Sequence, residues 1–212
     1  MDIDDLSKER RKSMMSGQNH AVLQSLEAYW QTLRGAQTIP ARTDVATSKI
    51  DHALPYAFIL QRVAPGTARF RVAGQRLHDL LKMDARGMPL GTFFLPQARE
   101  QIEQLVEAAF TDPAIISVPL VSPGALMRPA ITGHMLFLPL RDTAGKNTRM
   151  LGALVTDQDA GSRPRRFMIE AGARIRHDPI GTPRAATQII VPPPAKRPNA
   201  LRPALRLVVN NG

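Results

Sequence analysis

The sequence predicts an α+β fold: a five-stranded antiparallel sheet with helices on one face, preceded by an amphipathic helix and followed by a flexible basic tail. The central observation is a hairpin. Residues 56–63 are apolar enough for a buried strand, residues 64–67 have turn chemistry, and residues 68–72 alternate between apolar and charged. At Gly74 the apolar period becomes helical. A longer helical pattern over residues 97–110 is followed by three strand candidates between residues 115 and 156. Together with the hairpin, these three strands make up the five-stranded sheet.

The N-terminal residues predict a flexible arm over residues 1–19, which are polar and charged, and then an amphipathic helix from His20. Two roles are open for this helix. Its apolar stripe packs on the sheet, or it also forms the centre of a homodimer. Aromatic side chains are frequent interface anchors, so the second interpretation assigns the interface to Leu23, Leu26 and Trp30.

The charge is unevenly distributed along the chain. The net charge is +10, and residues 161–212 contain ten Lys or Arg and only two acidic residues. We therefore expect a folded domain over residues 20–159 and a tail over residues 160–212 that is basic, rich in proline and largely disordered. Arg163, Arg165 and Arg166 open this tail, and they predict electrostatic contact with nucleic acid or another anionic surface.

Composition excludes several kinds of chemistry. The chain has no cysteine, which rules out disulfides, thiolate zinc sites, thiol nucleophiles, a flavin–cysteine adduct and attachment of haem c. It also has no nucleophile-elbow or phosphate-loop pattern, and its histidines lack the spacing of a metal site. We therefore expect no enzyme activity and no metal. An acidic start and the lack of a long apolar segment predict a cytoplasmic location.

Short motifs in a fixed order carry a family resemblance. They are Tyr29-Trp30, Ile39-Pro40-Ala41-Arg42, Leu54-Pro55, Phe70-Arg71-Val72-Ala73-Gly74 and Gly87-Met88-Pro89-Leu90. Together they resemble the alphaproteobacterial PAS-like family often called PAS_5, over about residues 26–157, and the predicted element order is that of a PAS domain. Within these motifs, Trp30, Pro40, Arg42, Arg71 and Gly74 are expected to be structural.

The resemblance implies a sensory or regulatory module for signal transduction, with a small-molecule pocket between sheet and helices. The candidate pocket residues are Phe58, Leu77, His78, Leu81, Phe94 and Met135. The cofactor stays unknown, because the long helix has no histidine to ligate haem b, and a lone His78 is more often structural than a ligand.

The expected function is that of a stand-alone module. The residues after Asp157 are too few for the effector domain that commonly follows a PAS domain. The output is therefore expected to pass through a homodimer and an unidentified signalling protein. The alternative is a regulator that binds nucleic acid or another acidic surface weakly through the tail, because basic residues without interleaved aromatics favour non-specific contact.

Overall fold

The computed structural model describes residues 3–126, 128–181 and 187–190, with side chains described for residues 17–126 and 128–181. Three α-helices, three short 3-10 helices and one sheet of eight strands lie within these residues. The helices are α1 (Ile3–Arg34), α2 (Gln75–Leu81) and α3 (Pro96–Thr111). The strands are β1 (Ala57–Ala64), β2 (Thr67–Ala73), β3 (Ala114–Ser122), β4 (Ile131–Arg141), β5 (Asn147–Thr156), β6 (Met168–Ile169), β7 (Arg174–Pro179) and β8 (Thr187–Ile190). In the described part of the chain, no helix is both long enough and apolar enough to cross a membrane.

All strand pairs are antiparallel, and the sheet runs in the order β2-β1-β5-β4-β3-β7-β8, with β6 also paired to β3. The predicted α+β class and the five predicted strands are confirmed. The predicted strand number is too low, because β6, β7 and β8 extend the sheet beyond β3. This extension lies in the region for which the sequence predicts a disordered tail.

Two apolar layers cover the two faces of the sheet. On the inner face, α2 and α3 pack against side chains such as Leu60, Phe137 and Met150. On the outer face, α1 packs against alternate residues of the same strands, including Ile59 and Leu151. Because successive side chains of a strand point to opposite faces, the apolar run of β1 supplies both layers.

The helix α1 is longer than predicted and belongs to the core. It begins at Ile3, so residues 3–19 are helical where the sequence predicts a flexible arm. Leu23, Leu26 and Trp30 are buried against the outer face, and Trp30 Nε1 donates to the Pro139 carbonyl oxygen at 2.8 Å. The dimer interface predicted at these three residues is therefore corrected: within one chain they already have apolar partners. Dimerisation through another surface stays a prediction.

The domain extends beyond the predicted boundary at Asp159. Phe167 and Ile175 are buried in the inner layer, and β7 pairs with β3. Arg176 of β7 forms an ion pair with Glu27 of α1. The prediction of a disordered tail is wrong for residues 160–181 and 187–190, because β6 and β7 pair with the edge of β3 and β8 pairs with β7. The sequence does not reveal these backbone partners. Residues 182–186 and 191–212 of that predicted tail lie outside the described residues.

A short loop segment covers the middle of the β2 edge. Phe70 N–H donates to the Met88 carbonyl at 3.0 Å, and Gly87 N–H donates to the Phe70 carbonyl at 2.7 Å. Arg69 forms an isolated antiparallel bridge with Pro89, and its Nη1 donates to the Gly87 carbonyl at 2.9 Å. The backbone groups of Phe70 are therefore not free.

Gly74, between β2 and α2, is required because the backbone approaches it closely. Its φ is −73°, so left-handed geometry is not the reason. A Cβ at this position would lie 2.1 Å from the Leu54 carbonyl oxygen and 2.4 Å from that of Pro55. Gly74 N–H also donates to the Ala57 carbonyl at 2.8 Å. This contact fixes the segment before β1 against the start of α2.

Gly74→Val is expected to lower the free energy of unfolding by about 3 kcal/mol, the upper end of the range for a strained backbone site. The measurement is urea unfolding followed by circular dichroism. Gly17→Val is the matched control, because a Cβ at Gly17 meets no atom within 4 Å and the position is helical. Equal unfolding midpoints for the two variants would contradict the close-approach explanation.

Candidate functional site

The candidate pocket residues of the inner face are packed against each other. Phe58, Leu77, Leu81, Phe94 and Met135 are all buried members of the inner layer. The Phe58 ring lies edge-on to Phe70 and Phe137, with ring centroids 5.3 Å and 5.8 Å apart. The cavities described below are lined by other residues, except that Phe58 contributes to one of them.

His78, the remaining pocket candidate, uses both ring nitrogens within the fold. Ala85 N–H donates to Nδ1 at 3.0 Å, so Nδ1 is the acceptor. The proton is then on Nε2, which donates to the Ala73 carbonyl at 3.1 Å. Asp84 lies 3.4 Å from Nδ1, but the side chain and backbone N–H of Arg86 bind that carboxylate and lower its pKa to about 2. The ring thus links α2 to the turn that follows it.

The family-motif residues have different surroundings. The Pro40 carbonyl accepts from Arg141 N–H at 2.9 Å, which ties the segment after α1 to the end of β4. Arg71 donates its Nε–H to the side-chain oxygen of Gln61 on the neighbouring strand β1. Arg42 lies in a 3-10 turn and lines a cavity of about 160 Å³ on the outer face. Trp30, Pro40 and Gly74 therefore have structural contacts, whereas Arg42 faces a cavity.

Of the three arginines assigned to tail electrostatics, two hold the fold together. The Arg165 side chain is buried, and it donates to the carbonyls of Ala160 and Pro129 at 3.1 Å and 2.9 Å. Arg166 Nη1 donates to the Thr92 carbonyl at 2.8 Å. Arg163 alone among the three is exposed. The assignment is therefore corrected for Arg165, whose guanidinium is buried among backbone carbonyls, and for Arg166, which is half-buried and bound to one carbonyl.

Sequence reasoning missed a serine–histidine contact between α1 and the segment before β1. The distance from Ser25 Oγ to His52 Nε2 is 2.5 Å, and Ser25 Oγ also donates to the Val22 carbonyl at 3.0 Å. A nucleophile–base pair needs a third group that orients the histidine. Among the described residues no hydrogen bond to Nδ1 of His52 is present, so the contact joins two segments without the arrangement of a catalytic triad.

Two histidines that are distant in sequence meet at one cavity. His20 of α1 and His134 of β4 line a space of about 170 Å³ together with Asp157. Asp157 is committed to the fold, since its Oδ1 accepts from Thr132 N–H at 2.9 Å. Within the ranges that the structure describes, no three His, Asp or Glu side chains are placed to hold a metal ion.

The loop between β3 and β4 presents an exposed apolar side chain. Leu126 is 96% exposed. The loop is closed by two reciprocal backbone hydrogen bonds of 2.9 Å between Ala125 and Arg128. Arg128 Nη2 donates to the Pro164 carbonyl at 2.6 Å, which fixes the loop to the segment before β6. A cavity of about 450 Å³ lies between the two segments and is lined by Leu126, Arg128 and Arg163.

The family comparison agrees with this architecture. The PAS_5 family model, described as a PAS domain, matches residues 18–155. A search of curated proteins found no match to this chain. The matched region contains the second half of α1, helices α2 and α3, strands β1 to β4 and nearly all of β5. With more than half of its length matched by that model, the chain belongs to the PAS domain family.

Proposed function

We propose that this PAS domain is a non-enzymatic sensory module that acts by binding another protein through the loop between β3 and β4. PAS domains are in general sensory or regulatory modules, and they commonly mediate contacts between proteins. The observation that carries the proposal is Leu126, an apolar side chain held almost fully in solvent on a loop fixed by hydrogen bonds.

The fixed loop lowers the entropic cost of binding. Arg128 ties one side of the loop to the Pro164 carbonyl, and Arg165 ties the other side by donating to the Pro129 carbonyl. A preordered loop loses little conformational freedom when a partner contacts it. An exposed leucine on such a loop contributes the most binding free energy when it is buried in an apolar pocket of the partner.

The charges around Leu126 indicate the partner's chemistry. Arg128 and Arg163 line the adjacent cavity, and Arg163 is exposed. Charged groups at the rim of an interface select partners of opposite sign. We therefore propose a partner with an apolar pocket bordered by carboxylates. A non-enzymatic role is supported by Ser25 and His52, because no third group that nucleophilic catalysis needs lies beside them in the described part of the chain.

A photo-crosslinking residue placed at position 126 of the full chain is expected to capture this partner. The control is the same residue at position 83, where Met83 is 48% exposed, and it is expected not to capture the partner. The captured protein is then purified for binding assays. Leu126→Glu is expected to weaken its affinity at least about 30-fold, the effect of losing a central anchor. Met83→Glu, which adds the same charge elsewhere, is expected to leave the affinity unchanged.

Equal affinities of the purified partner for the two variants would contradict the proposal. Both variants should melt at the temperature of the unchanged chain, since both replaced side chains are exposed. Capture of a second copy of this chain would assign the surface to the predicted homodimer instead.

The alternative function, contact with nucleic acid or another anionic surface, is supported by the excess of basic residues after residue 160. Of these, Arg165, Arg166 and Arg176 are engaged within the fold. Five others lie outside the described residues, namely Arg184, Lys196, Arg197, Arg202 and Arg206. The test is binding to a labelled DNA duplex at 50 and 200 mM salt, since contacts with phosphates weaken strongly over this range. An affinity that does not fall between the two salt concentrations would overturn this alternative.

A further inference from the structure

Three arginines lie close together on the outer face of the sheet. Arg149, in β5, pairs with Gln61 of β1, which in turn accepts a hydrogen bond from Arg71 of β2. By strand alternation, Gln61 and Arg149 share the face of Ile59 and Leu151, two outer-layer residues. Arg71, Gln61 and Arg149 therefore form a polar row across three adjacent strands.

Arg42 completes the cluster from the segment that follows α1. Burial, together with the positive charges of Arg71 and Arg42, lowers the pKa of Arg149, while the negative charge of Asp142 opposes this shift. Arg149 is therefore close enough to Arg71 and to Arg42 to be repelled by both.

The guanidinium of Arg149 lacks a partner that its burial requires. Its Nη1 is buried and has no hydrogen-bond partner among the described residues. A buried donor without a partner destabilises the folded state, and more so when it is charged.

Asp142, the carboxylate whose charge acts on Arg149, already accepts three hydrogen bonds. Asp142 Oδ1 accepts from the N–H groups of Ala144 and Lys146 at 2.9 Å and 3.0 Å, and Oδ2 accepts from Thr148 Oγ1 at 2.6 Å. In the described parts of the chain, no carboxylate forms an ion pair with Arg42, Arg71 or Arg149. These three side chains can thus bind an anion that the protein itself does not supply.

An apolar cavity of about 160 Å³ lies beside this cluster, and Arg42 is the arginine that lines it. Leu151, two residues along β5 from Arg149, lines it on the same face. The other lining side chains are mostly aliphatic and include Val45, Ile50, Leu54, Ile59 and Val72. Leu54 and Val72 are 36% and 48% exposed, so part of this apolar lining is open to solvent. A cavity of about this volume holds roughly six carbon atoms.

We propose that this outer-face site binds a short-chain aliphatic carboxylate, with its carboxylate on Arg149, Arg71 and Arg42 and its hydrocarbon chain in the adjoining cavity. The planar guanidinium matches a carboxylate with two parallel hydrogen bonds. The carboxylate gives Nη1 of Arg149 the acceptor that it lacks, and the chain covers apolar surface at Leu54 and Val72. The site lies on the face of the sheet opposite the pocket that the family resemblance implies.

The test is isothermal titration calorimetry of the full chain with sodium hexanoate at 100 mM NaCl. Saturable binding is expected, and Arg149→Gln is expected to weaken it at least about tenfold, as for a lost charged hydrogen bond. Arg149→Gln is also expected to keep or raise the melting temperature of the ligand-free chain, because it removes a buried N–H group, Nη1, that has no partner among the described residues. A merely structural arginine would instead lower the melting temperature when it is replaced.

Arg69→Gln is the matched control, since Arg69 is an exposed arginine on the same strand as Arg71 and donates to the Gly87 carbonyl. It should bind hexanoate as the unchanged chain does. Three results would each overturn the proposal. Hexanol could bind with the same affinity as hexanoate, or acetate could do so. The third result is that Arg69→Gln weakens hexanoate binding as much as Arg149→Gln.

Discussion

A chain that ends at Asp159 is expected to be largely unfolded at 25 °C. The truncation removes Phe167, Ile169 and Ile175, which are 0%, 4% and 1% exposed. Full burial of each such side chain stabilises a fold by about 1.5–3 kcal/mol. The sum approaches the entire stability of a typical domain, which is about 5–15 kcal/mol. Circular dichroism and thermal unfolding measure the loss.

The truncation also removes backbone partners from three elements. Phe167 donates its N–H to the Phe93 carbonyl at 2.8 Å and accepts from Leu95 N–H at 2.9 Å, just before α3. Arg165 N–H donates to the Leu80 carbonyl in α2 at 2.7 Å. The strand β3 loses its pairing with β7. Apolar burial and backbone hydrogen bonding are thus lost together, which is why we expect a cooperative loss of structure.

A chain that ends at Ile190 is the control for this experiment. It keeps β6, β7 and β8, so it should melt within a few degrees of the full chain. If the chain ending at Asp159 also melted within a few degrees of the full chain, residues 160–181 would be a dispensable appendage, contrary to their burial.

The double variant Leu23→Glu with Leu26→Glu is expected to unfold the protein rather than produce a folded monomer. Leu26 is 0% exposed and Leu23 is 8% exposed, and both pack among the outer-layer side chains. An unpaired carboxylate at such a site is costly, and the expected loss exceeds about 4 kcal/mol. The measurements are circular dichroism for folding and sedimentation velocity for association.

Ala21→Glu with Gln24→Glu is the matched control. It adds two carboxylates at the same spacing on exposed positions of α1. We expect this variant to remain folded with little change in stability. If the unchanged protein is a dimer and the variant with Glu at positions 23 and 26 is a folded monomer, the interpretation of α1 as a dimer interface would be restored.

Sequence patterns were sufficient for elements whose apolar side chains face one layer. Leu77, Leu80 and Leu81 recur at helical spacing in the sequence, and all three are buried in α2. The β1–β2 hairpin was recognisable because residues 68–72 alternate. In these cases one-sided burial imposes a period, and the period can be read from the sequence.

The same reasoning failed where a charged residue is used inside the fold. Arg165 and Arg163 are indistinguishable in a basic segment, yet one is buried among carbonyl groups and the other is exposed. The acceptors belong to residues distant in sequence, such as Pro129, so composition reports the charge and not its surroundings.

The candidate site could be predicted only in part. Arg42 and Arg71 were singled out as motif residues, whereas Arg149 was not. In the sequence, Arg149 is one polar residue next to Met150 and two positions before Leu151. Its significance depends on the register that pairs it with Gln61. That register joins strands separated by more than 80 residues, and no local pattern specifies it.

The loop segment at the β2 edge has a consequence for assembly. Open strand edges invite strand addition, in which an extended peptide or a second sheet continues the ladder. Here the N–H and carbonyl of Phe70 are bound by Met88 and Gly87, and Pro89, opposite Arg69, has no N–H to offer. A peptide is therefore not expected to be bound as an added strand along the middle of β2. Polymerisation through edge-to-edge pairing at this end of the sheet is disfavoured for the same reason.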